Sequence, residues 1–149
     1  MKEMSQDTLK IAFASSNQSH LDEHFGSCQS LSIYSVTTTS YEHVNTHYLT
    51  QYEGHNLQKI EDRVIALEGC FAVYCLACGN PVRQRLLTEG IRVVVRPQVD
   101  LISAVIVSIQ ANWPGKIAER QARQIQRKKN SLIILRNSPI VNGNSIYRD

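Results

Sequence analysis

The stretch from 71 to 95 constrains the fold more than any other part of the chain. Phe71-Ala72-Val73-Tyr74-Cys75-Leu76 is a short apolar run of the kind that forms a buried central strand. Asn80-Pro81 then supplies an N-cap and first turn for a helix, Gly90 stops it, and Ile91-Arg92-Val93-Val94-Val95 returns as a strand. A strand–helix–strand crossover sets its two strands parallel, so the chain is an α/β protein and not a sandwich or a bundle.

The rest of the pattern extends that unit. Leu9-Lys10-Ile11-Ala12-Phe13-Ala14-Ser15 is a second apolar run, expected to lie beside the first as a neighbouring interior strand. Leu31-Ser32-Ile33-Tyr34-Ser35-Val36 alternates with period two, and residues 37–40 turn it into a returning strand over 41–48. Strict alternation puts His43, Asn45 and His47 on one face of that strand, toward solvent, with Val44 and Tyr48 on the other. Asn56 caps a helix carrying Leu57, Ile60, Val64 and Leu67 on its apolar stripe until Gly69 ends it. Asp100 caps a third helix over 101–110, which Trp113-Pro114-Gly115 breaks. The expected architecture is a single domain with a mixed five-stranded sheet flanked by helices, spanning 9–112. A basic helical segment and turn-rich tail follow over 113–149, with Leu132-Ile133-Ile134-Leu135 as a short additional strand.

Charge is uneven along the chain. The net charge of +3 is too small to demand a polyanionic partner. Lys116, Arg120, Arg123, Arg127, Lys128, Lys129 and Arg136 nevertheless gather near the C-terminus with Glu119 among them, in the manner of a solvated helix face. Nucleic acid is therefore not an expected partner. The first residues lack the apolar core of a secretory signal, and the run 101–109 is too short to cross a bilayer, so the expected location is the cytoplasm, away from membranes. In that reducing compartment Cys28, Cys70, Cys75 and Cys78 are expected as free thiols or metal ligands.

Two places could carry chemistry. The loop after the first strand offers Ser15, Ser16, Asn17, Asp22 and His24, followed by Gly26. A neutral imidazole binds iron and other transition metals, and Asp22 could orient it through its second ring nitrogen. The other place is Cys75-Leu76-Ala77-Cys78-Gly79 at a strand-to-helix junction, where helix-end amides favour anions, thiolates included. Cys70 and Cys75 fit the core and Cys78 the surface, while Arg83 and Arg85 could draw an anionic ligand to this end. No second CxxC, phosphate loop or nucleophile elbow is present, which leaves zinc-ribbon, nucleotide and hydrolase chemistry without support.

Two blocks carry a resemblance. Lys10-Ile11-Ala12-Phe13-Ala14-Ser15-Ser16 leading to Asp22-Glu23-His24-Phe25-Gly26-Ser27, and Leu67-Glu68-Gly69-Cys70-Phe71-Ala72-Val73-Tyr74-Cys75-Leu76-Ala77-Cys78-Gly79 leading to Val82-Arg83-Gln84-Arg85-Leu86-Leu87, together resemble the NifX and NafY family, which includes the C-terminal part of NifB. The resemblance covers about 9–110 and implies an α/β fold of ribonuclease H-like topology. It also implies a non-enzymatic role in nitrogenase assembly: holding an iron–sulfur precursor, or the finished iron-molybdenum cofactor, as transient cargo. The implied partners are a NifB-like donor, scaffold proteins and apo-dinitrogenase. The family's histidine in the Asp-x-His-Phe-Gly motif falls on His24. Cys28 and the basic segment after Trp113 depart from the family pattern, and a stand-alone NifX-like core is the closer expectation.

The site expected from residues and resemblance together has His24 as cluster and metal ligand, with Cys78, Arg83, Ser16 and Asn17 as further cofactor-binding residues. A thiol–disulfide redox protein using Cys75 and Cys78 is the rival reading. An RNA adaptor working through the basic segment is a third.

Overall fold

The computed structural model describes residues 7–54 and 56–136, with side chains through residue 132. Two compact units divide it, Met1–Pro114 and Gly115–Asp149.

The first unit is built on a mixed sheet of five strands in the order β4-β3-β1-β5-β6. β1 (Leu9–Ala14) lies at its centre, antiparallel to β3 (Ser30–Val36) and parallel to β5 (Ala72–Cys75). The two apolar runs are thus neighbours. Both are buried on both faces, which is why neither alternates in sequence. β5 pairs in parallel with β6 (Arg92–Val95) across α2 (Asn80–Thr88), the crossover expected from residues 71–95. A small separate ladder joins β2 (His20–Leu21) to β7 (Asp100–Leu101).

On one face of the sheet, Ala12, Ala14, Leu31, Ile33, Val73, Cys75 and Val93 pack with Leu67, beside α1 (Leu57–Ala66), and with Leu86 of α2. On the other face Phe13 stacks on Tyr74 at 5.5 Å between ring centroids and meets Tyr34 edge-on at 5.6 Å, geometries that suit the aromatic quadrupole. α3 (Ile102–Ala111) buries Ile102, Val105, Ile106 and Ile109 at helical spacing, and its Gln110 side chain donates to the carbonyls of Thr37 and Ser40 in the β3–β4 turn.

Several local expectations need correction. β4 (Tyr41–Tyr48) does not alternate strictly, because its register against β3 shifts between Ile33 and Tyr34: Ile33 faces Asn45 and Tyr34 faces His43. Val44 is the extra residue of a bulge, so His43 leaves the face of Asn45 and His47 and lies against the Tyr34 ring at 5.3 Å. Leu57 opens α1 beyond the buried stripe and is 83% exposed. The N-cap of α2 is Gly79, with Asn80 as the first helical residue. Asp100 does not cap α3; pairing with β2 keeps Asp100 and Leu101 extended, and the Asp100 carboxylate takes the Leu101 amide and the Arg96 guanidinium instead. Residues 132–135 are helical, within α4 (Trp113–Arg136). A strand there would need a sheet partner, whereas an established helix adds a hydrogen bond with each residue fixed. The tail from 137 lies outside the described residues.

Candidate functional site

β1 and β5 run parallel, so the loops that follow them leave the sheet at the same end. One chain path turns toward β3 and the other toward β6, on opposite sides of the central pair, and such a divergence opens a crevice at the strand ends. The loop of His24 and the loop of the CxxC meet there. The Leu76 amide donates to the Glu23 carbonyl at 2.9 Å, and the Phe25 amide donates to the Ala77 carbonyl at 2.9 Å. These bonds flank His24, and the residues that make them from the other side are the two between Cys75 and Cys78.

Phe25 begins a short 3-10 turn, Phe25–Ser27, and is 1% exposed. Burying such a ring yields roughly 2–3 kcal/mol, enough to offset the ~1–2 kcal/mol of ordering a residue's backbone. From behind, Arg63 of α1 grips the same turn. Its side chain is 2% exposed and donates to the carbonyls of Phe25 (2.9 Å), Cys28 (2.9 Å), Gly26 (3.4 Å) and Lys59 (3.2 Å). The guanidinium also lies 5.8 Å from the centroid of the Phe25 ring. A buried cation is costly unless its donors are used, and four carbonyl oxygens use them here. His24 sits between these anchors with an exposed side chain that makes no capping bond to the turn it precedes.

Arg63 escaped the sequence reading, although a signal existed. It lies three residues after Ile60 and four before Leu67, on the apolar stripe of α1, where a solvated arginine does not belong.

The serine and asparagine of the loop have structural work. The Asp22 carboxylate accepts from the Ser16 amide at 2.8 Å and the Ser16 hydroxyl at 2.5 Å, so Asp22 holds Ser16 and not the imidazole of His24. Asn17 Oδ1 accepts from the amides of Ser19 (3.0 Å) and His20 (2.9 Å), and its amide group contacts His20 Nδ1 at 3.1 Å. Such an asparagine turn steadies the next residue, Gln18, at a φ of 66°, and the Tyr34 hydroxyl donates to the Gln18 carbonyl at 2.9 Å.

In the other loop Cys75 is buried and Cys78 half-buried. The Cys78 thiol points at the Gly79 carbonyl at 3.6 Å, and the neighbouring Cys75 thiol, helped by the nearby Arg83 guanidinium, lowers it to about 7 despite partial burial. Cys75 is correspondingly pushed far up, by its Cys78 neighbour and by burial. Burial pushes Cys28 and Cys70 up to about 11. One thiolate is thus available near neutrality, and it is at the crevice. Arg83 Nε is buried without a hydrogen-bond partner. Arg85 is committed elsewhere, to Glu89 at 2.6 Å and Glu61 at 3.1 Å.

Among the described residues no set of three or more His, Cys, Asp or Glu side chains converges to hold a metal ion. His24 is carried on one of the two joined loops and Cys78 on the other, with Arg83 in the first turns of the helix that follows. The class so defined is an α/β protein whose His24 loop and CxxC loop are joined at the carboxyl ends of its central parallel strands.

Residues 7–112 match the family described as dinitrogenase iron-molybdenum cofactor. The chain is 33% identical to the NifX protein of Klebsiella pneumoniae over 78% of its length and 75% of that protein's. It is 35% identical to NifX of Rhodobacter capsulatus, over 72% and 71%, and 31% identical to NifX of Azotobacter vinelandii, over 81% and 77%. The crystal structure of PH0822 has the same fold, with a TM-score of 0.56 at 16% identity, covering 70% of this chain and 91% of that one. The chain belongs to the NifX family of dinitrogenase iron-molybdenum cofactor proteins, and its role lies in nitrogenase cofactor handling. Among the described residues no helix is long and apolar enough to cross a membrane.

Proposed function

We propose that the chain is a non-enzymatic cytoplasmic carrier that holds an iron–sulfur precursor of the iron-molybdenum cofactor, or the finished cofactor, during its transfer in nitrogenase assembly. The observation that supports this most is the mounting of His24. Main-chain bonds to residues 76 and 77 hold it on both sides, Arg63 and Phe25 anchor it from behind, and its side chain stays exposed. A fixed backbone carrying a free imidazole gives a ligand that accepts cargo without reorganising the loop. It also suits release, since one imidazole is replaced easily by the ligands of a receiving protein.

In this reading His24 is the metal ligand, Cys78 a thiolate beside it, and Arg83 a counter-charge for an anionic cluster. Ser16 and Asn17 shape the loop and border the cargo. The donor is a NifB-like protein, with scaffold proteins and apo-dinitrogenase as further partners. The functional unit is 9–112, and the basic segment 113–149 is accessory. The redox rival draws on the lowered Cys78 thiol, but the family favours cofactor handling.

The test is anaerobic titration with isolated iron-molybdenum cofactor, followed by its visible spectrum and by metal analysis. His24→Ala is expected to weaken binding at least tenfold, about 1.4 kcal/mol, and more than Cys78→Ser does, with the fold unchanged. Equal affinity and metal content for wild type and His24→Ala would move the ligand role to Cys78.

A further inference from the structure

We propose that Cys75 and Cys78 form a reversible dithiol–disulfide pair, closed by small-molecule disulfides of the glutathione type, and that closure releases the loop carrying His24.

The argument starts from what lies between the two cysteines. Leu76 and Ala77 make up the whole of the link, and they supply the amide and the carbonyl that hold Glu23 and Phe25 on either side of His24. Only two residues separate Cys75 from Cys78, and each thiol shifts the acidity of the other, so the two sulfurs are neighbours before any oxidation. A disulfide draws them to about 2.05 Å and sets their Cβ atoms at about 3.8 Å. Cys75 cannot supply that movement. It is fully buried, it is paired with Val95 in the sheet, and its carbonyl accepts from the Arg96 amide at 2.9 Å. The displacement therefore falls on residues 76–78, whose amide and carbonyl are aimed at the His24 loop.

Access is equally one-sided. Cys78 is half-buried, whereas Cys28, Cys70 and Cys75 are buried, so an external disulfide reaches Cys78 first. The Cys78 thiolate attacks one sulfur of the external disulfide, forming a mixed disulfide and expelling one thiolate. Cys75 then gives its proton to that thiolate and attacks the Cys78 sulfur, closing the pair and expelling the second thiol. Two protein thiols lose two electrons and two protons, and one external disulfide becomes two thiols. A reducing thiol pool reverses both steps.

The consequence for cargo rests on the carrier reading above: the closed form loses both the Cys78 thiolate and the fixed placement of His24. The chemistry and the loop release do not rest on it, and they are tested first, on the full chain without cargo. The protein is equilibrated in reduced and oxidised glutathione at graded ratios, quenched by alkylation, and mapped by mass spectrometry. Amide hydrogen exchange of Phe25 and Leu76 is then compared between the two forms. The expected result is a Cys75–Cys78 disulfide, with exchange at both amides faster by at least about tenfold and the core strands unchanged. Cys78→Ser should abolish both effects while remaining folded, since Cys78 is not in the core.

No Cys75–Cys78 disulfide at any ratio, or glutathione retained on Cys78 alone, overturns the pair. A disulfide with unchanged exchange overturns the coupling to the loop. Cargo affinity of the two forms is measured last. If they bind equally although the loop is released, the carrier assignment of His24 fails and the redox pair stands.

Discussion

Nε of Arg63 donates to the main-chain oxygen of Phe25 at 2.9 Å, so a helix 38 residues further along the chain holds the residue next to His24. Arg63 faces carbonyl oxygens rather than a carboxylate, and its charge is spread over the backbone of the very turn that carries the candidate ligand.

Replacing Arg63 with Met should cost about 3 kcal/mol, because it strands several buried carbonyls at once. Arg63→Lys should fall between, since an ammonium cannot reproduce the planar fork. Urea unfolding of the two variants checks the order. A cost under about 0.5 kcal/mol for Arg63→Met would show that water replaces the guanidinium without penalty.

Alkylation should distinguish the four cysteines. Cys78 is expected to react with iodoacetamide at a rate that rises with pH around a midpoint near 7, since only its thiolate attacks. Cys28 and Cys70, pushed up to about 11, should stay protected until the chain unfolds. Their stability effect has a definite sign. From an ordinary thiol value of 9.0 the unfolded chain loses these protons first, so stability falls as pH rises from 9.0 toward about 11. Urea midpoints on either side of that window measure it.

The source of the lowered Cys78 thiol is open to separation. Cys75→Ala removes the neighbouring thiol, which contributes most, and Arg83→Gln removes the smaller charge effect. Both should move the alkylation midpoint of Cys78 upward, Cys75→Ala further. The reverse order would mean that the arginine controls the thiolate.

Truncation bears on the boundary of the first unit. Trp113 is 8% exposed and lies within Met1–Pro114. A chain ending at Pro114 should unfold cooperatively, and one ending at Asn112 should be less stable by about 3 kcal/mol, the usual cost of losing a buried large aromatic. Thermal unfolding of the two fragments tests this, and equal stability would make Trp113 dispensable.

The fold was legible wherever burial was two-sided or periodicity unbroken. Residues 9–15 and 71–76 stood out because a strand covered on both faces can carry no polar alternation. Val44 was not legible, since counting by twos assumes a register that a bulge resets, and His43 was misplaced with it. For the site, the sequence exposed the donor residues and hid their mounting. His24 and the CxxC are visible as residue types, but the two main-chain bonds that join their loops leave no side-chain trace. Asp22 shows the limit from the other side: a carboxylate two residues from a histidine suggested a second-nitrogen partner, and Ser16 holds it instead.

The bulge at Val44 has a consequence for the chain's dealings with other molecules. β4 is an outer strand of the sheet, and a regular outer strand offers its free main-chain groups to any extended segment that passes. One surplus residue twists that row out of step. The edge is therefore a poorer template for an added strand than a regular β4 would be, which lowers the chance that two copies of this chain pair edge to edge.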